Sequence, residues 1–203
     1  HDVSSIIQDS EGFIWMATYD GLNKFDGYEI ENYLHDNNNI SSLSSNRIRC
    51  LFEDDKKRIW IGTDGYGLNH FSLEKGNISR VSVPDNYEII NDIIQNSSGD
   101  LIAGTTQGLL KVTKNKESYS VEILQTPITG FNVKKIKLLN NDSILFATAR
   151  GLWLYENNEY KFIKGSDYIA LNTIVENTKN QIWVGGKLGL YQVVDNTLVS
   201  KTE

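Results

Sequence analysis

The sequence predicts an all-β chain folded as a β-propeller of four-stranded antiparallel blades, and three observations carry that reading. The dipeptide Gly-Leu occurs five times, each time just after a short apolar run closing on Ala or Gly. The copies are Phe13-Ile-Trp-Met-Ala-Thr before Gly21-Leu22, Ile59-Trp-Ile-Gly-Thr before Gly67-Leu68, Leu101-Ile-Ala-Gly-Thr before Gly108-Leu109, Ile144-Leu-Phe-Ala-Thr before Gly151-Leu152 and Ile182-Trp-Val-Gly-Gly before Gly189-Leu190. The slot held by Trp15, Trp60, Ile102, Leu145 and Trp183 recurs every 38 to 45 residues, the length of one propeller blade and too long for a leucine-rich repeat. No stretch sets apolar residues at a helical period over the 10 to 15 or so positions that helical repeats of similar length need.

Each unit reads as four short strands, A to D. Strand A of unit one is Val3 to Gln8, and every copy has aliphatic residues at its first and fourth positions: Val3/Ile6, Ile48/Leu51, Ile90/Ile93, Val133/Ile136 and Leu171/Ile174. The A–B turn, Asp9 to Gly12, recurs at Asp54–Lys57, Asn96–Gly99, Asn140–Ser143 and Asn177–Asn180; Asp and Asn bond their own backbone two residues on. Strand B, Phe13 to Thr18, is near-continuously apolar, as expected where both faces of a sheet are covered. Its Trp15, with Trp60 and Trp183, is therefore expected between blades. The small residue that follows (Ala17, Gly62, Gly104, Ala147, Gly185) suits wedge-shaped blades that crowd toward an axis. Gly21, Gly67, Gly108, Gly151 and Gly189 give strand C an unrestricted entry, and the Leu after each plugs the space between neighbours. Strand C runs to Phe25, Asp26-Gly27 is a hairpin signal, and strand D is Tyr28 to Leu34. The C–D turn recurs at Lys75-Gly76-Asn77, Asn115-Lys116, Asn157-Asn158 and Asp195-Asn196.

Set in register, the blades fall at about residues 1–46, 47–88, 89–131, 132–169 and 170–203 of one domain. Strand D of the last unit runs from Thr197 to Lys201, which leaves no terminal strand to share a blade across the seam, the usual way a ring is closed. A five-bladed ring and five blades of a larger, seven-bladed ring are both open, and the second is favoured. The chain begins at His1 without an initiator Met or a signal-peptide pattern, so a fragment or a processed chain is expected.

Composition narrows function. Acidic residues outnumber basic ones, 26 to 20, which speaks against nucleic acid as a partner. Lys134, Lys135 and Lys137 form the densest basic cluster, and strand alternation splits it between two faces as a solvated edge. The one cysteine, Cys50, sits in an apolar run and reads as a buried structural thiol. No run of 18 apolar residues is present, so this segment is expected to make no membrane contact.

The unit typified by Ser5-Ile-Ile-Gln-Asp-Ser-Glu-Gly-Phe-Ile-Trp-Met-Ala-Thr-Tyr-Asp-Gly-Leu-Asn-Lys-Phe-Asp-Gly27 resembles the two-component regulator propeller repeat. Units one, two and five carry the motif well; units three and four lack the Trp but keep the small-residue and Gly-Leu positions. The resemblance implies the periplasmic sensor region of a hybrid two-component system histidine kinase of Bacteroides type. In that family two seven-bladed propellers and a β-sandwich typically precede a membrane span and cytoplasmic kinase, receiver and DNA-binding parts. Such sensors respond to oligosaccharides, and homodimerisation and further blades and domains of a longer chain follow from the same likeness.

The residues offer little for catalysis. His1, His35 and His70 show no ligand spacing, and the His-centred metal site of the distantly similar streptogramin-lyase propellers has no counterpart. His70 falls where other units have Lys24, Lys111 and Gln192, a position expected to be solvated. Glu53-Asp-Asp55 lacks the spacing of a calcium loop. No enzyme activity, metal or cofactor is expected. Binding is better placed on the face shared by the B–C and D–A loops, where the variable residues Tyr19, Asp20, Asp64, Tyr66, Gln107, Arg150 and Lys187 sit ahead of or beside each Gly-Leu and the linker His35–Asn46 reaches the same rim. Tyr beside charged and amide groups suits sugars, the ring stacking on apolar C–H faces. A protein-interaction scaffold is the alternative, and a propeller lyase or hydrolase a third reading.

Overall fold

Twenty strands build five four-stranded antiparallel sheets, each made of strands adjacent in the chain, so that each sheet is one sequence unit. The computed structural model describes residues 2–116, 118–125 and 130–201; His1 lies outside them. Blade one is β1 (Val3–Gln8), β2 (Ile14–Thr18), β3 (Gly21–Phe25) and β4 (Ile30–Tyr33), and blade two is β5 (Ile48–Glu53), β6 (Arg58–Thr63), β7 (Leu68–Ser72) and β8 (Asn77–Val81). Blade three is β9 (Ile90–Gln95), β10 (Leu101–Thr105), β11 (Leu109–Lys114) and β12 (Tyr119–Leu124). Blade four is β13 (Val133–Leu138), β14 (Ile144–Thr148), β15 (Gly151–Glu156) and β16 (Glu159–Phe162), and blade five is β17 (Leu171–Glu176), β18 (Ile182–Gly186), β19 (Gly189–Val194) and β20 (Thr197–Ser200). Strand D of blade one is shorter than the sequence suggests, because Asp26 Oδ1 takes the N–H groups of Tyr28 and Glu29, both at 2.8 Å, into the turn.

The core lies between blades. One cluster joins Trp15, Ala17 and Leu22 of blade one to Ile48, Ile59 and Ile61 of blade two, and equivalent clusters fill the next three joints. The strands β1, β5, β9, β13 and β17 contact one another in chain order and line the axis. The small residues of strand B are small for the expected reason: a Cβ at Gly62 would stand 2.7 Å from Ile90 Cγ2, and one at Gly104 would stand 2.7 Å from Val133 Cγ1, both on the next blade.

The buried Trp15 and Trp60 each need an acceptor for the indole N–H, and the A–B turn supplies it. Asp9 Oδ1 accepts from the N–H groups of Glu11 and Phe13, while Oδ2 accepts from Trp15 Nε1 at 2.7 Å. Asp54 repeats this with Lys56, Arg58 and Trp60 Nε1. Asn96 takes the place of Asp in blade three, where the Trp slot is Ile102 and no second acceptor is needed. In blade four the turn begins one residue earlier than the sequence suggests: the Leu139 N–H bonds Ser143 O at 2.9 Å, and Leu139 O accepts from Asp142 at 3.0 Å. The six-residue inner strand β13 runs to Leu138, so Leu139 stands where Asp9 does, and Asn141 Oδ1 caps Ser143 instead.

The two end blades each present an uncovered face. Ile6 is 60% exposed on blade one, and Val175 is 57% exposed on blade five. Trp183, expected between blades, is only half-buried. The Trp slot faces the next blade in chain order, and the described residues form none beyond blade five. Its neighbour Val184 points the other way and is fully buried against blade four.

Candidate functional site

The inner strands share an irregularity that sequence analysis missed. The A–B register slips between Val3 and Ser5, Ile48 and Cys50, Ile90 and Asp92, Val133 and Lys135, and Leu171 and Thr173. Each slip is a β-bulge that leaves one residue out of the ladder and re-aims its side chain. The five bulged residues are Ser4, Arg49, Asn91, Lys134 and Asn172, and together with Tyr19 they line one cavity of about 250 Å³. Because the bulges sit at the end of strand A that pairs with the close of strand B, this cavity opens on the B–C loop side of the axis.

Its polar groups are partly committed to holding blades together. Ser4 Oγ donates to Ile48 O at 2.7 Å, and Asn91 Nδ2 donates to Val133 O at 2.6 Å, each reaching the next inner strand. Asp64 accepts from Arg49 at 2.7 Å and pairs with Arg47 at 3.2 Å, and the Arg47 guanidinium lies 5.3 Å from the Tyr19 ring centroid. Lys134 has no hydrogen-bond or ion-pair partner among the described residues. The rest of its cluster serves the joints rather than a solvated edge: Lys135 bonds Asp92 of blade three and Lys137 bonds Glu176 of blade five, both at 2.8 Å. Asp92 is buried, which raises its carboxyl above the ordinary range, and it also accepts from the Ile136 N–H at 2.8 Å. Cys50 is likewise buried, its thiol pushed up by desolvation.

The B–C loops are set by the Thr that closes strand B. Thr18, Thr63, Thr105 and Thr148 each donate to the carbonyl of the Gly that begins or precedes strand C, at 2.8 to 3.0 Å. The same hydroxyls accept from the N–H of Asp20, Tyr66, Gln107 and Arg150, which fixes the backbone of four sequence-predicted residues. Tyr19 lines the axial cavity, and Asp64 reaches it through Arg49. Tyr66 is 64% exposed on the rim, where its carbonyl accepts from Ser44 of the D–A linker. Arg150 flanks a separate small pocket with Phe131 and Trp153, and the Lys187 N–H bonds Ala170 O at 3.0 Å. The geometry therefore gathers Tyr19 and Asp64 at the axis and leaves Tyr66, Gln107, Arg150 and Lys187 outside the lining of that cavity. The signal that finds the missing residues is a polar second position in every strand A, beside the aliphatic first and fourth.

His70 is not solvated. It is 9% exposed, between Trp60 at 5.0 Å and Tyr119 at 5.4 Å between ring centroids. Burial, with Arg58, Lys114 and Lys75 nearby, pulls its pKa down to about 4. Among the described residues no group of three or more His, Cys, Asp or Glu side chains has the arrangement to hold a metal, and no helix is long and apolar enough to cross a membrane.

The two-component regulator propeller model matches residues 1–20 and 42–65. Histidine kinase P4 of Formosa agariphila is 33% identical over 81 residues, which cover 38% of this chain and 6% of that kinase. Virginiamycin B lyase of Staphylococcus aureus superposes with a TM-score of 0.79 at 13% identity, over 96% of this chain and 67% of that one. The extracellular domain assigned to a hybrid two component system of B. thetaiotaomicron superposes with a TM-score of 0.57 at 22% identity, over 94% of this chain and 33% of its own length. Both structural likenesses are of fold, whereas the motif match is one of sequence and falls on the best-kept units. Residues 1–20 and 42–65 match the two-component regulator propeller repeat, and the chain that carries them is a β-propeller.

Proposed function

We propose that this chain is the sensing part of an extracytoplasmic receptor region in a hybrid two-component signalling protein, with an oligosaccharide as its ligand. The observation that supports it best is the axial mouth, where five bulges aim one polar side chain per blade at a common cavity with Tyr19 at its edge. Hydroxyl, amide and cationic groups converging beside an aromatic face suit a sugar, whose hydroxyls need several partners while its C–H faces stack. The histidine kinase relative supports a signalling context. Kinase activity itself belongs, in this reading, to another part of a longer, periplasm-facing and dimeric receptor. The uncovered faces of blades one and five suit further blades completing a seven-bladed ring. A non-catalytic role is preferred over lyase chemistry because the sequence motifs are those of regulators and the lyase likeness is of fold.

Calorimetry of the full-length protein against a panel of oligosaccharides tests this. A binding sugar whose affinity falls at least about tenfold in Arg49→Ala or Tyr19→Ala supports the axial mouth, since a lost charged hydrogen bond or stacking contact is worth that much. Binding to no glycan, with tight binding to a protein partner, overturns the reading in favour of a scaffold.

A further inference from the structure

A cavity of about 890 Å³ lies away from the axis, between the outer halves of blades two and three. Wedge-shaped sheets that touch at the axis diverge outward, and here side chains do not fill the gap. His70, Ser72 and Ser79 of blade two line it together with Lys114 and Tyr119 of blade three. We propose that this cleft binds a tetrahedral oxyanion, the sulfate or phosphate group of a small ligand.

Charge is the first argument. Six basic side chains line the cleft against two carboxylates, Glu11 and Glu74, in a chain whose net charge is −6. Most are already engaged: Lys56 with Asp55, Lys57 with Glu11, Arg58 with Asp54 and with the Tyr119 hydroxyl, and Arg80 with the carbonyls of Ser42 and Leu43. Lys75 and Lys114 have no carboxylate partner among the described residues, and Lys114 Nζ lies 4.5 Å from the centroid of the Tyr119 ring. Among the described residues, neither ammonium group forms an ion pair.

His70 adds a neutral donor to these cations. Its Nδ1 is sealed from solvent and has no hydrogen-bond partner, a costly state for a buried polar atom. In blades one and three the matching position holds a cation with a partner: Lys111 bonds Asp100 at 2.9 Å, and Lys24 lies 3.8 Å from the Phe13 ring centroid. Blade two thus replaces a satisfied lysine with an imidazole kept neutral by its burial. A sealed, unprotonated Nδ1 is an acceptor that no oxyanion can reach, so what His70 offers a ligand is Nε2–H, beside the hydroxyls of Ser72 and Ser79. Neutral donors together with ammonium groups suit an oxyanion.

The test uses the full chain labelled at histidine, whose three rings give a simple spectrum, titrated with sodium phosphate and sodium sulfate at constant ionic strength. The His70 ring signals, assigned with His70→Gln, are expected to shift saturably with one anion or both, and whichever binds tighter identifies the ester class. In the Lys75→Ala/Lys114→Ala double variant the apparent Kd rises about tenfold or more, whereas Lys179→Ala, remote on the blade-five turn, leaves it unchanged. No saturable shift with either anion, or the same response in the double variant, overturns the proposal. Neither outcome depends on whether the axial mouth binds a sugar.

Discussion

Asp54 joins three structural tasks in one carboxylate. Its Oδ1 closes the A–B turn, and its Oδ2 accepts from both the Trp60 indole and Arg58 Nε at 2.7 Å. The sequence shows the first task, because an Asp at the head of a turn is a local signal. It does not show the second, which depends on the strand folding back to bring a residue six positions on over the same side chain. Asp54→Asn keeps the turn but puts an N–H₂ where an acceptor is needed, so about 1–3 kcal/mol of stability should be lost, read as a lower urea midpoint. Blade five carries this arrangement naturally: Asn177 Nδ2 donates to Gln181 instead, and Trp183 is left half-buried. His70 makes a second prediction at this scale. Its folded pKa, about 4, lies below the unfolded value near 6.5, so the unfolded chain takes up the proton first as pH falls. The stability that a neutral His70 contributes is present above pH 6.5 or so and is lost as pH drops toward 4, by roughly 1–3 kcal/mol. Thermal melts of His70→Gln across that window should show a shallower acid decline than the unaltered chain.

The B–C corner shows why the repeat keeps Gly where it does, and the strand ends show what the repeat leaves unsaid. Gly151 has φ 128°, and a Cβ there would stand 2.7 Å from both Phe162 Cε2 and Ser166 O. Gly76, in a C–D turn, has φ 63° with nothing within 4 Å of such a Cβ. Both glycines read alike in the sequence, as turn residues with positive φ, but only one is also boxed in. Gly76→Ala should cost about 1–2 kcal/mol, the backbone penalty alone. Gly151→Ala should cost distinctly more, because the clash with a backbone carbonyl adds to it. Equal losses in chemical denaturation would mean that the corner relaxes freely. The five bulges escaped sequence reading for a related reason. A bulge is a property of the pairing between two strands, and strand A alone shows only a departure from alternation, with aliphatic residues at its first and fourth positions, as Val3 and Ile6. The polar residue at its second position marks the place.

At the scale of the whole molecule, the number and order of strands were legible because each strand repeats its own pattern, while burial was not, because coverage comes from the neighbouring blade. Trp60 and Trp183 occupy the same slot, yet Trp60 is fully buried and Trp183 is not. The same asymmetry predicts behaviour in solution. The face of blade one that carries Ile6 and the face of blade five that carries Val175, Trp183 and Leu190 are the two complementary halves of an ordinary inter-blade joint, here separated. Such a contact between copies is head-to-tail, so it propagates into rings or filaments rather than stopping at a symmetric pair. Exposed apolar sheet faces of this kind drive association. The 203-residue chain is therefore expected to sediment as oligomers that grow with concentration. Ile6→Glu combined with Val175→Glu places like charges on the two mating faces without touching the four filled joints, and should return the chain to a monomer with an unchanged circular dichroism spectrum. A monomeric unaltered chain would instead mean that the two faces close on each other within one molecule, as a five-bladed ring.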